Sequence, residues 1–185
     1  MGFLSVLWLP IVLSAVIVFV ASSITHMVLP YHHSDYKKLP DEAGMLSGLR
    51  GEALPRGVYV FPFCTHKEMK SPEVMDKYKR GPVGFMTIFP NQPPAMPKFL
   101  ALWFVYCLIV SFLVGYLTGH TVEPGVHYLA VFRVAGSAAF LAYGIGNIPN
   151  GVWRGWPWSN VAKELFDGLI YALLTAGTFG WLWPR

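Results

Sequence analysis

Four long apolar stretches divide this chain, and most of its charge is confined between the first and the second. A helix needs about 20 apolar residues to cross the hydrocarbon core of a bilayer. The stretches Phe3–Val28, Phe99–Gly119, Tyr128–Ile148 and Leu165–Trp183 are of that order. Backbone N–H and C=O groups find no water in lipid, so each stretch must satisfy them internally as a helix. Composition agrees. Charged residues make up 13% of the 185 and apolar ones 54%, against about 25% charged in a soluble domain. The expected fold is an all-α membrane protein with four transmembrane helices. Helix 1 lies in residues 1–29, a small cytoplasmic α+β-like segment in 30–98, and helices 2–4 in 99–185.

The loops set the direction. Pro30–Lys98 holds ten of the fourteen Lys and Arg residues, and His120–His127 holds none. Arg154 lies in the third loop and Lys163 at its end. Positive loops stay cytoplasmic, so the first and third loops are expected inside and both termini outside, in a multi-pass inner (plasma) membrane protein. Arg185 is the one charge on the wrong side. Trp153, Trp156 and Trp158 are expected at the inner interface, Trp181 and Trp183 at the outer one. Met1–Ser5 has no Lys or Arg, and the apolar run before Ala21-Ser22-Ser23 is long for a signal peptide, so an uncleaved anchor is expected. Val6 stands where a myristoylation pattern needs Ser or Thr. The net charge of +4 reports topology. No basic stripe with interleaved aromatics points to nucleic acid. The partners expected are the lipid bilayer, other membrane subunits or a second copy.

Small residues recur every fourth position as Ala138, Ala142 and Gly146 in span three, and as Gly168, Ala172, Ala176 and Gly180 in span four. In lipid such stripes let helix backbones approach closely. The two are expected to face each other across a short connection, with a homodimer face as the alternative. Pro10 removes one backbone hydrogen bond and is expected to kink span one.

The first loop is too long for a simple connection. Gly57–Phe63 and Gly84–Pro90 are short β-branched and aromatic runs bounded by Gly and Pro, and read as two strands. Ser71–Arg80 opens with Ser and Pro and ends before Gly81, which predicts a short capped helix. Cys64 in this loop and Cys107 in span two lie at different depths, which argues against a disulfide. No phosphate-binding glycine motif is present.

Candidate chemistry starts at THMVLPYHHSDY, Thr25–Tyr36. His26, His32, His33 and Asp35 surround the end of span one, and Cys64 and His66 in the following loop can join them. Such a set would hold a transition metal: zinc with Cys and His, iron or manganese with Asp35 and Glu68. The spacing matches no strong zinc signature, which favours a plain polar cluster at a wet helix end. On the opposite side, His120, Glu123 and His127 invite the same reading, but Pro124 and Gly125 make the stretch a tight turn. Arg133 lies within span three, where an ion is a functional hypothesis by default. Asp167 is its tempting partner, yet at ~1.5 Å per residue the two stand over about 10 Å apart in depth; Glu123 or outer headgroups are better placed, reached by snorkelling. Glu164, Asp167, Tyr171, Thr175 and Thr178 form a polar line along span four. A transporter uses such a line for ions or protons, whereas interhelical hydrogen bonding is its commoner use. No span is visibly duplicated and inverted.

The run HMVLPYHHSDYKKLPDE and the ending DGLIYALLTAGTFGWLWP resemble uncharacterised bacterial four-helix inner-membrane proteins. The resemblance implies a four-helix membrane protein and carries no activity. The leading expectation is a non-enzymatic accessory or structural membrane component. The alternatives are a metal- or haem-binding membrane protein that uses the histidines at the end of helix 1, and a small transporter that uses Arg133 and the polar line.

Overall fold

The computed structural model describes residues 3–185, so Met1 and Gly2 of the acylation pattern lie outside it. In chain order the elements are α1 (Phe3–Ser23), α2 (Glu42–Gly51), β1 (Gly57–Phe61), α3 (Pro72–Arg80), β2 (Gly84–Ile88), α4 (Met96–Thr121), α5 (Tyr128–Tyr143), α6 (Ile148–Trp153) and α7 (Trp158–Trp181). Three helical stretches, Leu4–Val28, Met96–Thr121 and Tyr128–Trp153, are long and apolar enough to cross a membrane. The 24-residue α7 is not among them; Lys163, Glu164 and Asp167 fall in its first half.

The chain forms two compact units. One runs to Asp35 and resumes at Ala95; the other is Tyr36–Pro94. In the helical unit α1 runs unbroken through Pro10. It ends in a π turn, Ile24–Val28, and a 3-10 turn, Pro30–Ser34. Leu29 between them is extended, as the residue before a proline prefers. Leu7, Ile11, Ala15 and Val18 form the buried face of α1, at the spacing of one helix side. They meet Cys107, Val110 and Val114 of α4. Ser14 donates a buried hydrogen bond to Ser111 Oγ at 3.1 Å across this contact. Gly115 makes it close: a Cβ there would lie 2.9 Å from Ile11 Cγ1.

The α5–α7 contact confirms the pairing of the two helices but corrects the stripe on α5. Gly168, Ala172 and Ala176 are buried as expected, and a Cβ on Gly168 would lie 2.4 Å from Gly144 Cα. The α5 side of the contact is Ala135, Gly136, Ala139, Tyr143 and Gly144. Ala138 is only partly buried, and Ala142 and Gly146 are exposed. A glycine's missing Cβ matters only where a facing backbone approaches, and α5 presents Gly136 and Gly144 there. Gly146 lies beyond the end of α5, in the 3-10 turn Ile145–Asn147. Trp183 is also corrected, from interface anchor to core: it is buried, and its indole N–H donates to the Glu123 carbonyl at 3.0 Å.

In the second unit β1 and β2 pair antiparallel, with Val60 opposite Phe85 and Val58 opposite Thr87. Val58, Val60 and Phe85 share one exposed face. Ser71 caps α3 by accepting from Val74 N–H at 3.3 Å, and Gly81 ends it with φ +61°, a conformation that favours glycine. The helix α2 has no counterpart in the expectations; Asp41 Oδ1 caps it through Gly44 N–H at 2.9 Å. Cys64 and Cys107 are both free.

Candidate functional site

The two turns that follow α1 fold the polar stretch back onto the first half of α7. Asp167 there is 1% exposed. Its Oδ2 is 2.8 Å from His32 Nε2, and its Oδ1 accepts a hydrogen bond from the Tyr31 hydroxyl. The other ring nitrogen of His32, Nδ1, is 2.5 Å from Asp35 Oδ2. Lys163, one turn before Asp167 on α7, donates to Asp35 Oδ1 at 2.6 Å, to the Tyr31 carbonyl at 2.6 Å and to Ser34 Oγ at 2.7 Å. Asn160, a turn earlier still, donates to the Asp35 carbonyl at 3.2 Å. Residues three and four apart share a helix face, so α7 presents Asn160, Lys163 and Asp167 to the turn as one row.

A histidine with a carboxylate at each nitrogen donates from both, and that requires the imidazolium form. Burial alone would lower the His32 pKa, but the bonds to Asp35 and Asp167 outweigh it and the net shift is upward. Burial would raise Asp35, but Lys163 and His32 outweigh that and hold it below the usual carboxylate range. The two carboxylates therefore face two cations. Paired and hydrogen-bonded in this way, buried charge is tolerated. Burial first, and then the bond to Asp167, push the Tyr31 hydroxyl upward, so it stays a donor.

His26 joins this relay to a cleft. Its ring stacks on His32 with centroids 4.2 Å apart, and its Nδ1 lies 3.8 Å from Asp167 Oδ2. The cleft, of about 620 Å³, opens between the end of α1, the start of α4, the end of α5 and the first half of α7. His26 and Glu164 are its charged or titratable polar groups, and Trp103, Tyr106, Tyr143 and Tyr171 its aromatic ones. Tyr171 is tied to α1 through Thr25 Oγ1 at 2.7 Å.

His26, His32 and Asp167 offer ligand atoms within 4.8 Å of one another, the one such group of three or more among the described residues. As folded, His32 and Asp167 are hydrogen-bonded to each other, while His26 stacks on His32 and its Nδ1 lies 3.0 Å from Thr25 Oγ1 and 3.2 Å from the Ser22 carbonyl. The two imidazole planes are only 13° apart, so their in-plane lone pairs do not converge on one point, and His32 has both nitrogens engaged. Bringing a metal in would require turning His26 and opening the His32–Asp167 bond. Of the other expected ligands, Asp35 joins the cluster through His32, while His33 is exposed. Cys64 and His66 belong to the second unit, where Cys64 Sγ is 3.6 Å from the Tyr78 hydroxyl and His66 is exposed. Glu68 there accepts from Thr65 N–H and Oγ1. On the far side, His120 Nδ1 is 2.7 Å from the Tyr116 carbonyl, and His127 caps α5 by accepting from Leu129 N–H at 3.3 Å. Arg133 is exposed, and no ion pair to it is present among the described residues.

The polar line of α7 divides by function. Asp167 and Tyr171 reach other elements, whereas Thr175 and Thr178 bond back to the carbonyls of Tyr171 and Leu174 at 2.8 Å. Tyr31 and Lys163 were missed as site residues. The clue to the main pairing was depth: Asp167 stands as near the end of span four as His26 does to the end of span one, and antiparallel logic puts those ends together. No family model, curated protein or solved structure matches this chain.

Proposed function

We propose that this is a multi-pass membrane protein of the small-transporter kind, which takes a small amphipathic molecule into the cleft and exchanges protons with water through the relay. In this reading α7 is the fourth crossing, with its charged first half at the membrane surface. The Lys and Arg of Tyr36–Pro94 support a topology with that unit in the cytoplasm and both termini outside, in the inner membrane. The observation that carries the proposal is the shared residue. His26 lines the cleft and stacks on His32, and from His32 a continuous hydrogen-bonded chain runs through Asp35 to Lys163, whose side chain is 22% exposed. Pockets of roughly 300–1,000 Å³ with a few convergent polar groups are the usual form of small-molecule sites.

The test is extraction of the protein into native lipid discs, followed by mass analysis of what it retains. The expected result is one small molecule per chain in the wild type, lost from a His26→Ala/Tyr171→Phe variant that keeps its thermal midpoint. Equal retention by both proteins would remove the cleft from the function. A second reading, an accessory component that works through a partner, is supported by the exposed apolar face of Val58, Val60 and Phe85. A stoichiometric protein partner, with no retained small molecule, would favour it.

A further inference from the structure

The aromatic wall of the cleft is a continuous row. Trp103 stacks on Tyr106 with ring centroids 5.2 Å apart, Tyr106 meets Tyr143 edge-on at 5.9 Å, and Tyr143 meets Tyr171 edge-on at 5.8 Å. The polar tip of every one of these rings is already engaged within the protein. Trp103 N–H donates to Ser22 Oγ at 2.7 Å, Tyr106 to the Ala142 carbonyl at 3.0 Å, Tyr143 to the Cys107 carbonyl at 3.5 Å, and Tyr171 pairs with Thr25. Tyr143 and Tyr171 are buried behind the wall, so the partly exposed Trp103 and Tyr106 offer an incoming molecule ring surface, not hydrogen-bond donors. Two turns before Tyr171 on α7, Glu164 also lines the cleft, a carboxyl with no hydrogen-bond or ion-pair partner within the described structure. No Lys or Arg lines the cleft; the nearby Lys163 is turned away and committed to Asp35, Ser34 and the Tyr31 carbonyl.

These features select for charge. A phosphate or carboxylate headgroup would meet the Glu164 carboxylate and no Lys or Arg, with the His26 imidazole as the one basic side chain in the wall. A cation meets the negative faces of aromatic rings, which attract ammonium groups most strongly when water is excluded, and Glu164 supplies the opposite charge. The Met27 and Met96 side chains that complete the wall are adaptable, polarizable surfaces suited to an apolar substituent. We infer that the cleft binds a lipophilic organic cation, an ammonium or similar charge carrying apolar groups, at Glu164 and the stacked Trp103–Tyr106 pair, which Tyr143 and Tyr171 back from within the core. This rests on the reading of the cleft as the ligand site and narrows its ligand class.

The probes are tetraphenylphosphonium and tetraphenylborate, which share size and shape and differ in the sign of charge. Binding to the full-length protein in a neutral detergent is followed by calorimetry and by tryptophan fluorescence. Tetraphenylphosphonium is expected to bind and tetraphenylborate to bind at least about tenfold more weakly. Glu164→Gln should weaken the cation by about tenfold and Trp103→Ala by several-fold, while Trp103→Phe retains most of the affinity. Equal binding of the two probes by the wild type would overturn the inference, because the cleft would then read apolar surface alone. That comparison needs no variant to fold. Competition separates the two sources of an ammonium group: displacement by dodecyltrimethylammonium points to a free lipophilic amine, and displacement by a short-chain phosphatidylcholine points to a lipid headgroup. A neutral molecule retained from native membranes, together with no selectivity for the cationic probe, would sink the cation and leave the cleft as a ligand site.

Discussion

His32 and Asp167 are 135 residues apart in the chain and 2.8 Å apart in the fold. The bond fastens the turn after α1 to the first half of α7, and Asp167, 1% exposed, has Tyr31 as its other hydrogen-bonding partner. Removing one member of such a buried pair leaves the other uncompensated, at a cost of about 3–5 kcal/mol. Asp167→Asn and His32→Ala are each expected to destabilise by several kcal/mol, and the double variant by clearly less than the sum, with a coupling above about 1 kcal/mol. Reversible unfolding in detergent measures the cycle; additive effects would mean that the contact contributes nothing of its own.

The same bond predicts a pH dependence. His32 has a folded pKa above its ordinary 6.5, so its proton contributes stability fully below that value, and the contribution is lost as pH rises through the raised pKa. Asp35 has a folded pKa below 3.8; its contribution is present above that value and is lost as pH falls through the lowered pKa. The turn is therefore held most firmly between the two ordinary values. The thermal midpoint of the wild type minus that of His32→Gln should shrink as pH rises above neutrality. A constant difference from about pH 5 to about pH 9 would remove the charged histidine from the account.

Gly168 is the tightest point between α5 and α7, where an added Cβ would meet Gly144 Cα at 2.4 Å and Gly144 N at 2.5 Å. These are backbone atoms, so the helices themselves must part. Gly168→Ala is expected to cost more than about 2 kcal/mol, as overpacking does, despite alanine's better helix propensity. Gly177→Ala, whose Cβ would meet only the Tyr128 hydroxyl at 3.7 Å, should be neutral or stabilising. Thermal unfolding of the two variants side by side decides this.

Thr118 lies fully buried on α4, and its hydroxyl has no hydrogen-bond partner. An unsatisfied buried hydroxyl is unfavourable by about 1–3 kcal/mol. Thr118→Val keeps the shape and removes the orphan group, so a higher thermal midpoint is expected. A loss of stability would reveal a partner for the hydroxyl.

The proposed topology can be read from the two thiols. Cys107 is 0% exposed and should resist maleimide until the protein is denatured. Cys64 lies in the polar unit and is partly exposed. An impermeant maleimide should label Cys64 in inverted membrane vesicles and not in intact cells. Labelling in intact cells would reverse the assigned direction of every helix.

The polar unit was largely legible in the sequence because its signals are local. The Ser71 cap, Gly81 after α3 and the two β-branched runs each act within a few residues, and the helix and both strands formed where they pointed. The stripe on α5 was not legible. Counting small residues at a four-residue step selected Ala138, Ala142 and Gly146, while the contact with α7 uses Ala135, Gly136, Ala139 and Gly144. Several rows of small residues run along one short helix, and only the rotation of the helix against its neighbours chooses among them.

Membrane-length apolar helices and the confinement of charge between the first two followed from the sequence itself, because the energetic demand of burying backbone in lipid depends on length and composition alone; of the four spans it predicts, three are long and apolar enough in the structure and α7 is not among them. The tertiary structure decided what the histidines meet. THMVLPYHHSDY contains His26, His32 and Asp35, but the residue that organises them is Asp167, on a helix that the chain reaches only at its far end. A hydrogen bond has a reach of about 3 Å and leaves no trace in residue spacing when its partners are brought together by the packing of α1 against α7.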